Sequence, residues 1–437
     1  MLDIHFIREN ADLVKEGARK KRVEIDIDRL LELDEERKLL RQQMDEKKAE
    51  QNRASQQITR AQGSERIEYI ERMRMVKDSF TEIEEKYEKV TEEWTKLMLA
   101  VPNIPSPDTP EGPDESGNKV IRQWGEKPNF AFEPKAHWDL GKDLDVIDTE
   151  KAAEVSGARF AYLKGDLAMM QFALISHVMH TLSSAEIIKK IAEEANLDVN
   201  TKAFVPVIPP VMMRADVMGR MARLHPIDER YYFEKDELVL VGSAEHTLGP
   251  MHMGEVIDES RLPIRYIGYS TAFRREAGTY GKDTRGILRQ HQFDKLEMES
   301  FVRPEDGYRE QDLFVAIQEY LMKSLKLPYQ VMLICTGDMG KPDHRQFDIE
   351  TWMPGQGTYR ETQTSDYMGG YQARRLNTRV KNAAGELTFV HMNDGTAFAI
   401  GRTLIAIMEN YQLADGTIKV PDVLVPYVGK EILGHTA

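Results

Sequence analysis

Along Thr271–Glu299 (TAFRREAGTYGKDTRGILRQHQFDKLEME), cations, acceptors and an aromatic ring recur at every second position on either side of a Gly-containing polar turn. Side chains two apart on a strand share a face. Arg274 and Glu276 therefore project together from an extended run of Phe273, Arg274, Arg275 and Glu276. After the turn at Ala277–Gly286, the same period puts Arg289, His291, Phe293, Lys295 and Glu297 on one side of a second strand. The other side carries Leu288, Gln290, Gln292, Asp294 and Leu296, so it is not cleanly apolar. The chemistry on offer is a cation for an anion, a ring face for stacking and a carboxylate as acceptor. Two solvated, charged strands would show the same pattern, with ion pairs that contribute little.

A second candidate cation is Arg402. GRTLIAIMEN reads as an apolar helix beginning near Gly401, which places Arg402 in the first turn, at the positive end of the macrodipole. A bound phosphate removes that conflict, and so does a neighbouring carboxylate. The chain has neither a GxxxxGK[ST] phosphate loop nor a GxGxxG fingerprint.

Several elements must position these residues. From about Asp28 to Leu99 the chain has no proline and one glycine, Gly63. Met73, Val76, Phe80, Ile83, Tyr87, Val90, Trp94 and Leu97 step by three and four as a coiled-coil seam. Leu30, Leu33, Leu40, Met44, Ala54 and Ile58 fit the same frame, interrupted by Arg37, Lys47 and Gln51. With a break at Gly63 and Ser64, the pattern predicts an antiparallel helical hairpin with arms of about 45 to 50 Å. Near its tip Arg53, Arg60, Arg66, Arg72, Arg74 and Lys77 face only Glu65, Glu68 and Glu71, a local basic excess that an ordinary solvated helix could also carry. Val101–Asn118, rich in proline and glycine, reads as a linker. Beyond it come a helical run over Gln171–Ala195 and an apolar strand with adjacent prolines at Pro206–Met218.

Composition bounds the function. The 437 residues are 41% hydrophobic and 30% charged, enough for two or three domains with a full core. A net charge of -14 argues against nonspecific nucleic-acid binding, so only local basic surface could serve an RNA. No apolar run reaches the roughly 18 residues of a membrane span, and MLDIHFIREN lacks the regions of a signal peptide. We expect a cytoplasmic protein without membrane contact. The single cysteine, Cys335, cannot form an intramolecular disulfide and leaves no zinc site to expect.

FRREAGTYGKDTRGILRQHQFDKLEM resembles motif 2 of the class II aminoacyl-tRNA synthetases, in the FRxEAG...DTRG...RxHQF.K.E form of the seryl-tRNA synthetases. MLDIHFIRENADLVKEG, RLLELDEER and the block from His137 are also similar to that family. Pro206–Met218 resembles motif 1, His391–Gln412 motif 3, and FDIETWMPGQGTYRETQTSDYMGGYQARR (Phe347–Arg375) the family's ElEVWLPGQ..YREISSCSN..DFQARR. Departures are MGRMARLH where GTGQLP is usual, TQTSDY for ISSCSN, and Ala397 and Phe398 for Gly and Leu.

The resemblance implies an α+β protein: a class II antiparallel sheet flanked by helices in residues 107–437, preceded by a tRNA-binding coiled-coil hairpin in 1–106, as a homodimer. It implies ATP-dependent activation of serine, with Mg2+, and transfer to tRNA(Ser), extending to selenocysteine tRNA. By position, Arg274 and Arg402 are the catalytic cations. Arg274, Arg275, Glu276, Arg289, Gln290, Phe293, Glu361, Thr362, Gln363, Thr364 and Arg402 meet ATP, with Glu361 and Thr364 on the magnesium. Ser243, Ala244 and Glu245, in the family's TxE position, join Arg274, Glu297, Asn393 and Thr396 around serine. An ammonium held in a pocket needs acceptors, which suits those carboxylates. Two alternatives stay open: an amino acid:carrier protein ligase, which would lack the long arm, and a catalytically altered paralogue that binds or regulates.

Overall fold

The computed structural model describes residues 1–277 and 285–434, and divides into two compact units, Met1–Ile104 and Pro105–Ala437. In the first, helices α1 (Ile27–Arg60) and α2 (Gly63–Ala100) form the expected hairpin. Their lengths of about 51 and 57 Å exceed expectation, because both run on to the Ala61–Gln62 turn. Asp26 caps α1 by accepting from the Arg29 amide, and Gly63 opens α2 at a φ of 62°. Leu30, Leu33, Leu40, Ala54, Val76 and Met98 bury the seam. Arg29–Glu93 (3.0 Å) and Arg72–Glu50 (3.3 Å) bridge the arms, and the Arg37 guanidinium lies 4.2 Å from the Trp94 ring centre. At the base, Ile7 and Val14 from two short preceding helices pack with Ile27, Leu30, Met98 and Val101.

The second unit is built on a sheet of eight strands among the described residues: β1 (Lys119–Trp124), β2 (Val205–Val207), β3 (Ile264–Phe273), β4 (Gln292–Val302), β5 (Tyr329–Leu333), β6 (Arg345–Met353), β7 (Thr358–Gly369) and β8 (His391–Ala399). Their spatial order is β1-β5-β6-β7-β8-β4-β3-β2, antiparallel except for the edge pair β2/β3. Helices α3 (Gly165–Leu182), α4 (Ala185–Glu194), α5 (Gly307–Ser324) and α6 (Ile400–Asn410) share its largest apolar core, and Leu296 and Met298 of β4 point into it. Alternation turns Lys295, Glu297 and Glu299 to the other face. Gln318 of α5 donates to the Thr364 and Thr396 carbonyls, and Gln311 to those of Arg345 and Ser365, which locks α5 under β6, β7 and β8.

Three sequence expectations need correction. Gln171–Ala195 holds two helices, because Ser184 caps α4 through the Ile187 amide. Pro206–Met218 is not one strand: β2 ends at Val207, Pro209 and Pro210 break the chain, and a strand Met212–Arg214 joins a separate small sheet before a helix Ala215–Arg220. Val101–Asn118 lacks regular structure over much of its length, as proline requires, yet its later part is packed: Ser106 bonds His344 (2.7 Å), the Asn118 side chain takes the Cys335 amide (2.9 Å), and Cys335 is buried.

Candidate active site

β3 and β4 carry the two arms of the site. β3 ends at Phe273, and Glu276 has a φ of 54°, so Arg274 and Glu276 do not continue one strand as alternation predicted. The arms are instead tied by side chains: Glu276 accepts from Arg289 at 2.6 Å, and the Arg274 amide bonds the His291 carbonyl at 3.0 Å. Arg274 donates to the Gly242 carbonyl (3.1 Å), with its guanidinium 5.4 Å from the Phe293 ring centre. The Arg275 amide bonds Glu229, and its guanidinium lies 5.9 Å from the Tyr231 ring. Gln290 has a buried amide nitrogen without a partner among the described residues. β4 begins at Gln292, so Arg289 and His291 precede the strand, while Phe293, Lys295 and Glu297 share a face as predicted. The intervening turn lies, at residues 278–284, outside the described residues.

Below these arms a polar pocket closes. Glu297, 1% exposed, accepts from Lys295 (2.8 Å), Ser243 (3.2 Å) and Thr396 (3.3 Å), and Lys295 also donates to Ser243 (3.0 Å). These four side chains come from three separate segments. Ala244 is fully buried beside them. His246 takes the Gly242 amide on Nδ1 (3.1 Å), which leaves Nε2–H for the Glu245 Oε1 at 3.4 Å. Glu245 Oε2 is then buried without a hydrogen bond among the described residues. Burial opposes ionisation of Glu245, but His246, donating from Nε2, and then Lys295 and Arg223 outweigh it and hold the carboxyl well below its usual range. Burial, with Arg230, Arg223 and Arg274 nearby, pushes His246 down to about 3, so the imidazole is neutral. Burial also pushes Glu297 up to about 7, with Lys295 opposing and Glu245 adding.

Asn393 does not join this pocket. Thr396 and Asn393 are three apart on β8, so they face opposite ways, and Asn393 pairs with Ser300 and Tyr367 while Thr396 pairs with Glu297. Asp394 takes the pocket face instead. That alternation was available from the sequence.

At the outer end, Arg402 of α6 donates to the Glu361 carbonyl (2.8 Å) and pairs with its carboxylate (3.1 Å). A carboxylate therefore answers the macrodipole conflict here. Thr364 lies opposite Asp348 on β6, and burial, then the charge of Glu361, pushes the Asp348 carboxyl well above its usual range. Glu361, Thr364 and Asp348 thus gather hard oxygen donors that a divalent cation would relieve. Sequence reasoning missed Asp348, although it faces Thr364 across one strand pair. Thr362 and Gln363 turn away: Thr362 bonds Thr351 (2.8 Å) and Gln363 bonds the Ala397 carbonyl (2.6 Å). Among the described residues no group of three His, Cys, Asp or Glu side chains is placed to hold a metal by itself.

Comparison with known proteins bears on the whole chain. Residues 1–105 match the seryl-tRNA synthetase N-terminal domain, and residues 231–411 the tRNA synthetase class II core domain (G, H, P, S and T). A serine–tRNA ligase of Symbiobacterium thermophilum is 40% identical over 98% of both chains. The chain belongs to the seryl-tRNA synthetases. Its fold is accordingly the class II antiparallel sheet with a helical arm, and its activity is serine–tRNA ligation. Two solved structures are similar along the full chain: seryl-tRNA synthetase from Pyrococcus horikoshii complexed with ATP, 34% identical with a TM-score of 0.87 and 100% of each chain covered, and cytoplasmic serine–tRNA ligase from Naegleria fowleri in complex with AMP, 28% identical with a TM-score of 0.83, covering 100% of this chain and 99% of that one. The match includes the hairpin that a carrier protein ligase would lack.

Proposed function

We propose that the Ser243–Lys295–Glu297–Thr396 cluster is the serine pocket and that the arms above it hold ATP. The convergence of these buried groups from three segments is the observation that carries this reading. The free Oε2 of Glu245 takes the serine ammonium, and Glu297 accepts from the serine hydroxyl. Arg274, beside Phe293, holds the serine carboxylate and the α-phosphate together. Phe293 stacks on adenine, bordered by Gln290, and Glu276 accepts from the adenine amino group; Arg275 flanks the arm. A serine carboxylate oxygen attacks the α-phosphorus, the bond to the bridging oxygen breaks, and pyrophosphate leaves. A hydroxyl of the terminal ribose of tRNA(Ser) then attacks the seryl carbonyl carbon and loses its proton, the bond to the phosphate oxygen breaks and AMP leaves, and a selenocysteine tRNA is charged by the same route. Such chemistry rests on positioning and fixed charge rather than on a protein nucleophile.

Arg289 and Arg402 meet the outer phosphates. ATP offers Arg402 a phosphate in place of Glu361, which releases that carboxylate. Glu361, Thr364 and Asp348 would then hold Mg2+, whose charge offsets that of the phosphates. Homodimerisation fits edge strand β2 and its continuation, where Val205 is 52% and Ile208 84% exposed. The tip residues Arg53, Arg60, Arg66, Arg72, Arg74 and Lys77 are all exposed and form the tRNA contact. Charging takes place in the cytoplasm, where its substrates are; no helix of the described residues is long and apolar enough to cross a membrane.

Pyrophosphate exchange with each of the twenty amino acids tests this assignment. A site built to bond a hydroxyl rejects the analogue lacking it by roughly 10⁴. Serine should beat alanine on that scale, and Glu297→Ala should remove most of the difference. Equal exchange with serine and alanine would sink the pocket assignment.

A further inference from the structure

Two of the stretches in which this chain departs from the seryl-tRNA synthetase pattern meet in space. MGRMARLH contributes Arg223, and TQTSDY contributes Asp366 at the fifth position of ISSCSN, where the family carries a serine. The Arg223 guanidinium lies 3.6 Å from Asp366, 3.6 Å from Asp343 and 3.5 Å from Asp394. All three carboxylates are buried.

The register makes this cluster part of the pocket. Asp366 on β7, Asp394 on β8 and Glu299 on β4 lie directly opposite one another, and like charges so placed repel. The next level along β8 and β4 on the same face is the Thr396–Glu297 pair. Two residues along a strand span about 6.6 Å, so the carboxylate row is the tier beneath the groups that receive serine. Among the described residues Arg223 is the guanidinium that bridges this row, since Arg230 donates to the Arg223 carbonyl (3.0 Å) and Arg274 to that of Gly242. The three carboxylates are buried around the Arg223 guanidinium, so the row depends on its cation. Removing one partner of a buried charged group costs more than the group contributes when paired.

We propose that Arg223 and Asp366 form one compensating unit, and that Arg223 is a positioning residue for serine: through Asp394 it fixes the strand level that carries Thr396 and Glu297. The departures in these two stretches are then a single substitution of one polar floor for another. The inference rests on the serine pocket proposed above.

Exchange kinetics on the full-length protein test it. Arg223→Met should raise the serine KM tenfold or more with the ATP KM within about twofold, and adding Asp366→Ser should bring the serine KM back to within about threefold of the unaltered protein. Equal rises in both KM values, or a double variant no better than the single one, would overturn it, because a general loss of structure acts that way. If Arg223→Met does not fold, Asp366→Ser alone decides: a serine KM raised severalfold at unchanged ATP KM supports the unit, and an unchanged serine KM overturns it. Glu297→Ala in the same assay separates the two claims. If it leaves serine use unaltered, the pocket itself is misplaced; if it abolishes serine use while Arg223→Met has no effect on the serine KM, only the role of Arg223 falls.

Discussion

Glu297 is where burial and neighbouring charge set the chemistry. Its carboxyl is pushed up to about 7, first by burial, and a serine hydroxyl donates more strongly to the ionised form. Since kcat/KM follows the free enzyme's ionisation, serine-dependent exchange should rise with pH through about 7 and level off above it. Glu297→Gln should erase that rise and lower the plateau about tenfold or more; a pH profile with the same inflection in the variant would remove Glu297 from the role. Stability follows the opposite sign. A carboxyl whose folded value is raised contributes fully below its unfolded value, and the contribution is lost as pH rises through the folded one. Glu299, Asp348, Asp366 and Asp394 shift the same way, so without substrates the urea midpoint should fall from pH 6 to pH 8. Arg402 is the other residue whose role the structure sharpens. Its pairing with Glu361 replaces the unfavourable helix-end cation that the sequence suggests, and both side chains are partly exposed, at 25% and 49%. Arg402→Ala should therefore change stability by no more than about 1 kcal/mol while abolishing exchange. Marked destabilisation with activity retained would make it a structural ion-pair residue. Spacing alone revealed Phe293, Lys295 and Glu297 as one face; the resemblance put Asn393 in the serine pocket, although three residues on a strand reverse direction whereas two do not.

At the scale of elements, the second arm of the site depends on a buried lock. His137, in a short helix His137–Asp143, accepts from the Ile287 amide on Nε2 (3.2 Å) and meets Glu409 of α6 on Nδ1 (3.0 Å). Glu409 in turn takes the Gly355 amide (3.0 Å) and the Gln356 side chain (3.0 Å) of the turn between β6 and β7. Gly286 sits against this lock at a φ of 66°, where an added Cβ would lie 2.1 Å from His137 Nε2. Gly286→Ala should then displace the arm, lowering exchange at least tenfold and the thermal midpoint by several degrees; near-normal values in both would show that the lock is not needed. The glycine was legible in the sequence, but its reason was not, since His137, Gly286 and Glu409 are distant along the chain. Long periodic elements were legible: the hairpin, with its seam, and the helix of Arg402. Strands interrupted by prolines were not, because the 206–218 segment alternates without revealing that its halves join different sheets.

For the whole molecule, the test is whether the arm and the catalytic unit divide the labour. Every residue proposed for ATP or serine lies beyond Pro105, and the six tip cations lie within Met1–Ile104. Removing the entire hairpin would be a poor experiment, because its base buries Ile7 and Val14 against Leu30 and Met98. The ion pairs Arg29–Glu93 and Arg72–Glu50 give the level of the arms and put Gln42 opposite Phe80. Replacing Gln43–Ser79 with a short glycine-rich turn therefore removes the tip and its cations while leaving the seam in register above an intact base. Serine-dependent exchange should stay within about threefold of the full chain, and transfer to tRNA should fall by about a hundredfold or more. Neutralising Arg53, Arg60, Arg66, Arg72 and Arg74 in the full-length chain should weaken tRNA binding and flatten its dependence on salt, since each lost phosphate contact reduces the logarithmic slope by about 0.7 to 0.9. A net charge of -14 sharpens the expectation, because the rest of the surface repels the phosphates that these five side chains attract. If the shortened protein charges tRNA as well as the full chain, the arm is a structural appendage, and tRNA must be recognised from the catalytic unit alone.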